Sequence, residues 1–315
     1  MGCFDRADRL QSDPAFQLLH QGYGKIAASE TSEAESLFSQ IVQNHASSEA
    51  AGEAALRLAY LKWAASLEAG DEPSRNALRA DSQSRFGSIA RGEVKSSPAV
   101  RIEAMHRCAR IYHGKKERIR ALQAYQEIAA LTDSVGSPDP DVHLEIAGLY
   151  MELALSENGS LENCIRECDQ VLAIPGASDR TCATALQMKA EAFHFLKDYK
   201  ASIDLERKIL EEYPDCKSMA MLANFYMGLS YFQINDPYRA QNSFEKVVKD
   251  FSDNDNLPGN DLRFASKLYM AQALIRMEKR RKARRLLKEI IIEKPASKQA
   301  EDARKLYELI KPDAE

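Results

Sequence analysis

The sequence has no apolar run long enough to cross a bilayer. A spanning helix needs about 18–20 consecutive apolar residues, and the best stretch, Leu144 to Leu155, carries Glu145 and Glu152. The opening residues carry no secretory signal with an apolar core either, so a soluble protein is expected. Glycine and proline are few, 14 and 11 in 315 residues, and β-branched runs are scarce apart from Ile290-Ile291-Ile292. That leaves little material for strands and tight turns. Cysteines stand at 3, 108, 164, 168, 182 and 216, too scattered for a disulfide framework. Catalytic signatures are missing as well: no Gly-x-Ser-x-Gly, no P-loop, no dinucleotide fingerprint and no His-Glu-x-x-His. No enzyme activity, cofactor, metal or small-molecule substrate is expected.

What the chain does have is helix-forming side chains. Ala, Leu, Glu, Lys, Arg and Gln dominate, and these lose little side-chain freedom in a helix. The composition predicts an all-α protein.

The strongest pattern is internal. From Gly228, an aromatic (Tyr231) follows three residues on, Ala240 twelve on, Phe244 sixteen on and Val247 nineteen on. Two antiparallel helices with a short turn require this spacing. Small residues let the backbones cross closely, and large ones fill the space beside the crossing. The same ruler fits Gly22, Ala34, Phe38 and Ile41, then Ala109, Tyr112, Ala121, Tyr125 and Ile128. It fits Ala190, Phe193, Ser202 and Ile209, and again Ala271, Leu274, Ala283, Leu287 and Ile290. Ala147, Tyr150, Cys164, Cys168 and Val171 fit with five residues inserted at the turn, and a degenerate copy surrounds Ala59. Asp13-Pro14, Ser97-Pro98, Asp139-Pro140 and Asp236-Pro237 punctuate the array as a cap followed by a first-turn proline.

On these residues the chain resembles the tetratricopeptide-repeat proteins over nearly its whole length. The resemblance implies a right-handed α-solenoid of about seven helical hairpins, continuous over 1–311. The hairpins fall near 15–48, 49–90, 102–135, 140–175, 183–216, 221–254 and 264–296. A capping helix follows at 297–310, with Ala300, Ala303, Leu306, Leu309 and Ile310 on one face, and then a tail at 312–315. Residues 66–97, with Gly70, Pro73, Gly87 and Gly92, read as a distorted hairpin and a linker. The lengthened spacing between Ser202, Ala240 and Ala283, with Tyr213-Pro214-Asp215, is similar to envelope-assembly lipoproteins of the BamD/CpoB type. That second resemblance implies an alternative in which Cys3 carries a membrane anchor. Gly2 is a further lipidation candidate, although Arg6 stands where the motif wants Ser or Thr. Asn158-Gly159-Ser160 is a glycosylation sequon. Free thiols at core positions fit a reducing compartment, and the cytoplasm is expected.

The family resemblance implies a protein or peptide partner held on the concave face. Leu222, Phe225, Leu229 and Phe232 on one helix, with Leu268, Gln272 and Ile275 on the next, form the candidate groove. Those helices are apolar on two faces, so either a partner segment or the chain itself covers the second one. His106, Arg110 and His113 form a second, polar candidate, without the Lys and Asn of a carboxylate clamp. Positive charge concentrates at one end: residues 263–311 carry 15 Lys and Arg against 6 Asp and Glu. Lys279, Arg280, Arg281, Lys282, Arg284 and Arg285 form a basic patch open to nucleic acid, an anionic membrane or another copy of the chain, or simply to solvent. Few aromatics interleave with it, so nucleic acid is the less favoured partner. Cys164 and Cys168, one turn apart, read as small core fillers rather than metal ligands.

Overall fold

In the computed structural model the described residues are 13–157, 159–250 and 260–310; among them are fifteen helices and no strand. Expectations for Gly2, Cys3 and Arg6, for Asn158 of the sequon, and for the tail 312–315 lie outside the described residues. The sequence pattern runs as one array, whereas the structure divides into two compact units, residues 1–139 and 140–315. The boundary falls where Gly136 turns left-handed (φ 71°) and Pro138 and Pro140 bar a continuous helix.

The first unit holds α1 (Pro14–Ala27), α2 (Thr31–Asn44), α3 (Ala50–Glu68), α4 (Glu72–Ala90), α5 (Pro98–Gly114) and α6 (Arg118–Ser134). The second holds α7 (Pro140–Glu157), α8 (Leu161–Ala173), α9 (Asp179–Phe195), α10 (Tyr199–Glu212), α11 (Lys217–Gln233) and α12 (Pro237–Asp250). It continues with α13 (Asn260–Arg276), α14 (Arg280–Glu293) and α15 (Lys298–Leu309). Consecutive helices pair as seven hairpins, and α15 closes the second unit: this is the tetratricopeptide-type helical fold. No described helix is long and apolar enough to cross a membrane.

Local chemistry explains where the helices begin and end. Asp13, Ser97 and Asp236 accept hydrogen bonds from Ala15, Val100 and Arg239 backbone N–H groups, so three of the expected caps are formed. Five hairpin turns share one left-handed residue that is not glycine: Ser29, Lys116, Lys197, Asn235 and Glu278, all at φ of 61–65°. In each the next residue's N–H reaches back five residues, as Asp236 N to Tyr231 O at 2.9 Å, and satisfies a carbonyl at the helix end.

The core repeats the crossing. Ala34, Ala121, Ser202, Ala240 and Ala283 are fully buried, and so are Phe38, Tyr125, Phe244 and Leu287 beside them. A Cβ at Gly228 would stand 2.7–2.9 Å from the Phe244 ring, so only glycine fits that crossing. Residues 66–97 depart from expectation: α4 is a regular helix of 19 residues in which Ser82, Phe86 and Ile89 repeat the small–aromatic–aliphatic spacing. Ser82 Oγ donates to Ala59 O at 2.8 Å, tying the two helices at their crossing. Ala59 and Ser82 are 23 residues apart, against 12 in five of the other hairpins and 17 between Ala147 and Cys164, because both helices run further toward the turn. At the other end, Ala300 and Ala303 are buried, but Leu309 is 79% exposed and points away from the capping face.

Gly228→Ala is expected to destabilise the protein by about 1–3 kcal/mol, the overpacking outweighing the gain in helix propensity. Gly24→Ala, with open space around its Cβ, is expected to stabilise by about 0.5–1 kcal/mol. Chemical denaturation of both variants checks the pair. A stabilised Gly228→Ala would break the crossing assignment.

Candidate functional site

The apolar groove does not form as expected. Phe225, Phe232 and Leu268 are each only 8% exposed. Tyr269 of α13 inserts among α11 and α12, stacked on Phe244 (5.5 Å, 16°) with Phe225 and Phe232 edge-on at 6.2 and 6.1 Å. Arg276 lies 3.5 Å over the Phe232 ring and donates to Phe232 O at 2.7 Å. Leu268 belongs instead to the core of α13, α14 and α15, with Ile275 against it. Five of the seven residues are therefore divided between two cores, Phe225, Leu229 and Phe232 in one and Leu268 and Ile275 in the other, and Leu222, Leu229, Gln272 and Ile275 keep partial exposure. The cause is geometric. An inner helix in a stack touches its own partner and both neighbouring hairpins, so a second apolar face is used inside the chain.

The basic patch is also divided. Arg284 is not free: its Nη1 donates to Tyr307 O and Ile310 O at 3.2 and 2.9 Å, and its guanidinium covers the Tyr307 ring at 3.9 Å. It caps the C-terminal carbonyls of α15. Arg285 approaches Glu289 at 3.9 Å, while Lys279, Arg280, Arg281 and Lys282 are exposed around the start of α14. Cys164 and Cys168 are fully buried beside Ala147 and Val171. No cluster of three or more metal-ligating side chains occurs among the described residues.

Of the polar trio, His106 packs edge-on against Tyr125 at 6.1 Å, and Arg110 lines a cleft. That cleft, of about 540 Å³, lies in the first unit between α3, α4 and α5. The α3 helix contributes Tyr60 and Trp63, α4 contributes Asn76, Arg79 and Gln83 over a floor of Phe86, and α5 with its turn contributes Arg107, Arg110 and Lys115. Helical spacing explains the sharing of faces. Asn76, Arg79 and Gln83 are three and four apart, as are Arg107, Arg110, Ile111 and Gly114.

Three of the four cations are oriented by uncharged side chains, and none of the four forms an ion pair among the described residues. Arg107 Nε donates to the Tyr60 hydroxyl at 2.7 Å, and its guanidinium lies 4.7 Å from the Tyr60 ring centre. Tyr60 donates in turn to Glu103 at 2.6 Å and meets Phe86 edge-on at 5.2 Å. Burial, then the bond to Glu103, raises the Tyr60 pKa, so the hydroxyl stays protonated. Arg79 stands 5.8 Å over Trp63, Lys115 Nζ donates to Gln83 Oε1 at 2.7 Å, and Arg110 has no partner among the described residues. Among the described residues no carboxylate lines the cleft. Trp63, the chain's single tryptophan, is 36% exposed there. Sequence reasoning found Arg110 alone; the signal for the rest was the Ser82–Phe86–Ile89 spacing, which makes 72–90 a helix and sets Arg79 and Gln83 opposite α5.

Comparisons with known proteins agree with the fold. Residues 222–254 match the model of the tetratricopeptide repeat. No curated protein matches the sequence. Similar solved structures include the apo form of RapI, 12% identical, covering 96% of this chain and 83% of that one, with a TM-score of 0.65. The C-terminal part of a TPR repeat-containing protein from Cytophaga hutchinsonii is 16% identical, with 90% and 98% covered and a TM-score of 0.61. The apo quorum sensor NprR from B. thuringiensis is 14% identical, with 93% and 80% covered and a TM-score of 0.59.

Because Phe232 lies between Tyr269 and Arg276, Phe232→Ala is expected to cost about 3 kcal/mol of stability. Leu222→Ala, at a partly exposed position of the same helix, should cost about 1 kcal/mol. Equal effects in denaturant melts would contradict the division between packed and open residues.

Proposed function

We propose that this tetratricopeptide-type repeat protein is a non-catalytic scaffold, and that its α3–α5 cleft holds an acidic segment of a partner protein through an apolar anchor. One observation carries the reading. Four cationic side chains, Arg79, Arg107, Arg110 and Lys115, converge on a cleft with no carboxylate among its lining residues, around the exposed faces of Trp63 and Tyr60. In a chain of net charge −4, such a local excess favours an anion. The volume suits a few side chains of a bound segment. Tyr60, Trp63 and Gln83 hold three of the four cations before any ligand arrives, which lowers the ordering cost of binding. Guanidinium forks suit carboxylates, and the aromatic faces suit an adjacent aromatic or aliphatic side chain.

Trp63 reports on its own site. Titration with a synthetic Glu-rich peptide containing one Phe should change Trp63 emission saturably, and added salt should weaken the effect. Arg110→Ala should weaken binding by about 1–3 kcal/mol, without loss of stability since Arg110 supports nothing else. Unchanged affinity in Arg110→Ala, or equal binding of a Lys-rich peptide, would falsify the cleft as the site.

The compartment we propose is the cytoplasm. Among the described residues five cysteines are free, with Cys108, Cys164 and Cys168 buried; burial pushes the Cys108 thiol up to about 11, far from its reactive thiolate form at neutral pH. Native protein should therefore react slowly with thiol reagents at these three positions and fully once unfolded. A disulfide involving any of them in protein from its own cell would count against this compartment.

A further inference from the structure

Sixteen residues after the small residue of each regular hairpin stands the side chain that fills the crossing: Phe38, Tyr125, Phe244 and Leu287. In the hairpin of α9 and α10 that position is Glu206, and it is fully buried. Gln187 of α9, only 2% exposed, donates Nε2 to Glu206 Oε1 at 3.2 Å and to Glu191 Oε1 at 3.3 Å. Glu206 Oε2 and Gln187 Oε1 are buried without a hydrogen-bond partner.

Among the described residues no cation is placed to balance the carboxylate. The α10 helix packs between α9 and α11. On α11 the only cation, Lys217, is exposed at the first residue. On α9, Arg180 is exposed, Lys189 pairs with Asp169, and His194 Nδ1 is held by Ser230 Oγ at 2.8 Å. On α10 itself Lys200 is exposed, Arg207 bonds Asp204 and Lys208 reaches Glu212. The titratable groups that do face Glu206 are Glu191 and, on α11, Tyr226, which hydrogen-bonds Glu191. An ionised, unpaired carboxylate at a repeat-core position would be strongly destabilising. A proton removes the conflict, because it turns Oε2 from an acceptor into a donor, and the Gln187 amide oxygen is a buried acceptor that lacks one.

We propose that Glu206 is a proton switch built into the hairpin core: it is a neutral acid bonded to Gln187 in the native protein, and its ionisation loosens the packing of α9, α10 and α11. Burial first, and then the charge of Glu191, hold Glu206 well above the usual carboxylate range. Burial raises Glu191 as well. The unfolded chain titrates Glu206 at about 4.3. Between that value and the raised native value the folded state binds the extra proton. The stabilisation is therefore complete below about pH 4.3 and is lost as pH rises through the native value. Within the window each pH unit raises the unfolding equilibrium constant by up to about tenfold.

The test uses the full chain. Thermal melts from about pH 5 to about pH 9 should show wild-type stability falling as pH rises, with hydrogen exchange in α9–α11 rising beyond its intrinsic pH dependence. Glu206→Gln keeps the shape and the amide bond without the charge; it should flatten the profile and melt higher than wild type at the alkaline end. Glu191→Gln should leave most of the slope in place. Infrared spectra of wild type at neutral pH should carry a protonated-carboxyl band that Glu206→Gln lacks. Parallel melting profiles for wild type and Glu206→Gln, or a band unchanged by the substitution, overturn the proposal. Should Glu206→Gln fail to fold, Glu206→Phe, which restores the aromatic of the other hairpins, takes its place. Absence of a protonated-carboxyl band in the wild type overturns the switch without any variant.

Discussion

Everything else in this chain depends on how closely two helices can cross. Where Gly22 meets Phe38 and Gly228 meets Phe244, the ring of one helix occupies the volume a Cβ on the other would need. A contact this tight leaves one arrangement of the pair, because shifting either helix along the other drives a larger side chain into the ring. The pair then presents a defined outer surface to the next hairpin. Ala34, Ala121, Ala240 and Ala283, all fully buried, repeat the constraint within each unit. Short turns follow from it. With the crossing set near the turn, five turns accept a left-handed residue with a side chain, even though such backbone costs roughly 1–2 kcal/mol outside glycine.

The same constraint explains why a helix with two apolar faces is not evidence of a groove here. Once α11 has spent Gly228 and Tyr231 on α12, its remaining face meets α13, and Tyr269 from that helix fills the space among Phe225, Phe232 and Phe244. Hydrophobic periodicity reports that a face is buried but is silent about what buries it. In an isolated amphipathic helix those questions coincide; in a stack they separate.

That distinction also sets what was legible in the sequence. Spacing of small and large residues follows directly from backbone geometry, so seven hairpins and a closing helix could be read from Gly228, Ala240, Phe244 and their counterparts. The hairpin of α3 and α4 obeys the same rule through Ala59, Ser82, Phe86 and Ile89, but its helices run further past the crossing, which moves the two halves out of a fixed ruler. Both helices have 19 residues, the longest of the first unit. The cleft borders their connected ends, where Trp63 and Arg79 meet, so the part of the chain least readable by repeat also carries the candidate site. Arg110 could be placed on a helix face from sequence alone. Its convergence with Arg79 and Lys115 could not, because that depends on three helices packing at once.

Departures from a repeat are informative because the crossing penalises them uniformly. Cys168 and Leu287, in the positions that Phe38 and Phe244 hold elsewhere, change volume but keep the site apolar, and the packing adjusts. Glu206 changes the chemistry at full burial, with an amide from Gln187 as its only hydrogen-bond partner among the described residues. The cleft presents the converse case: cations near the surface are held by a phenol, an indole and an amide rather than by carboxylates. Each of those partners fixes direction without cancelling charge, whereas a salt bridge would do both. An arrangement that orients positive charge and leaves it unspent gains nothing for folding that a carboxylate would not supply better. Its advantage appears only when an external anion completes it, which is the physical reason to look for binding in this cleft rather than along the buried aromatic row of α11.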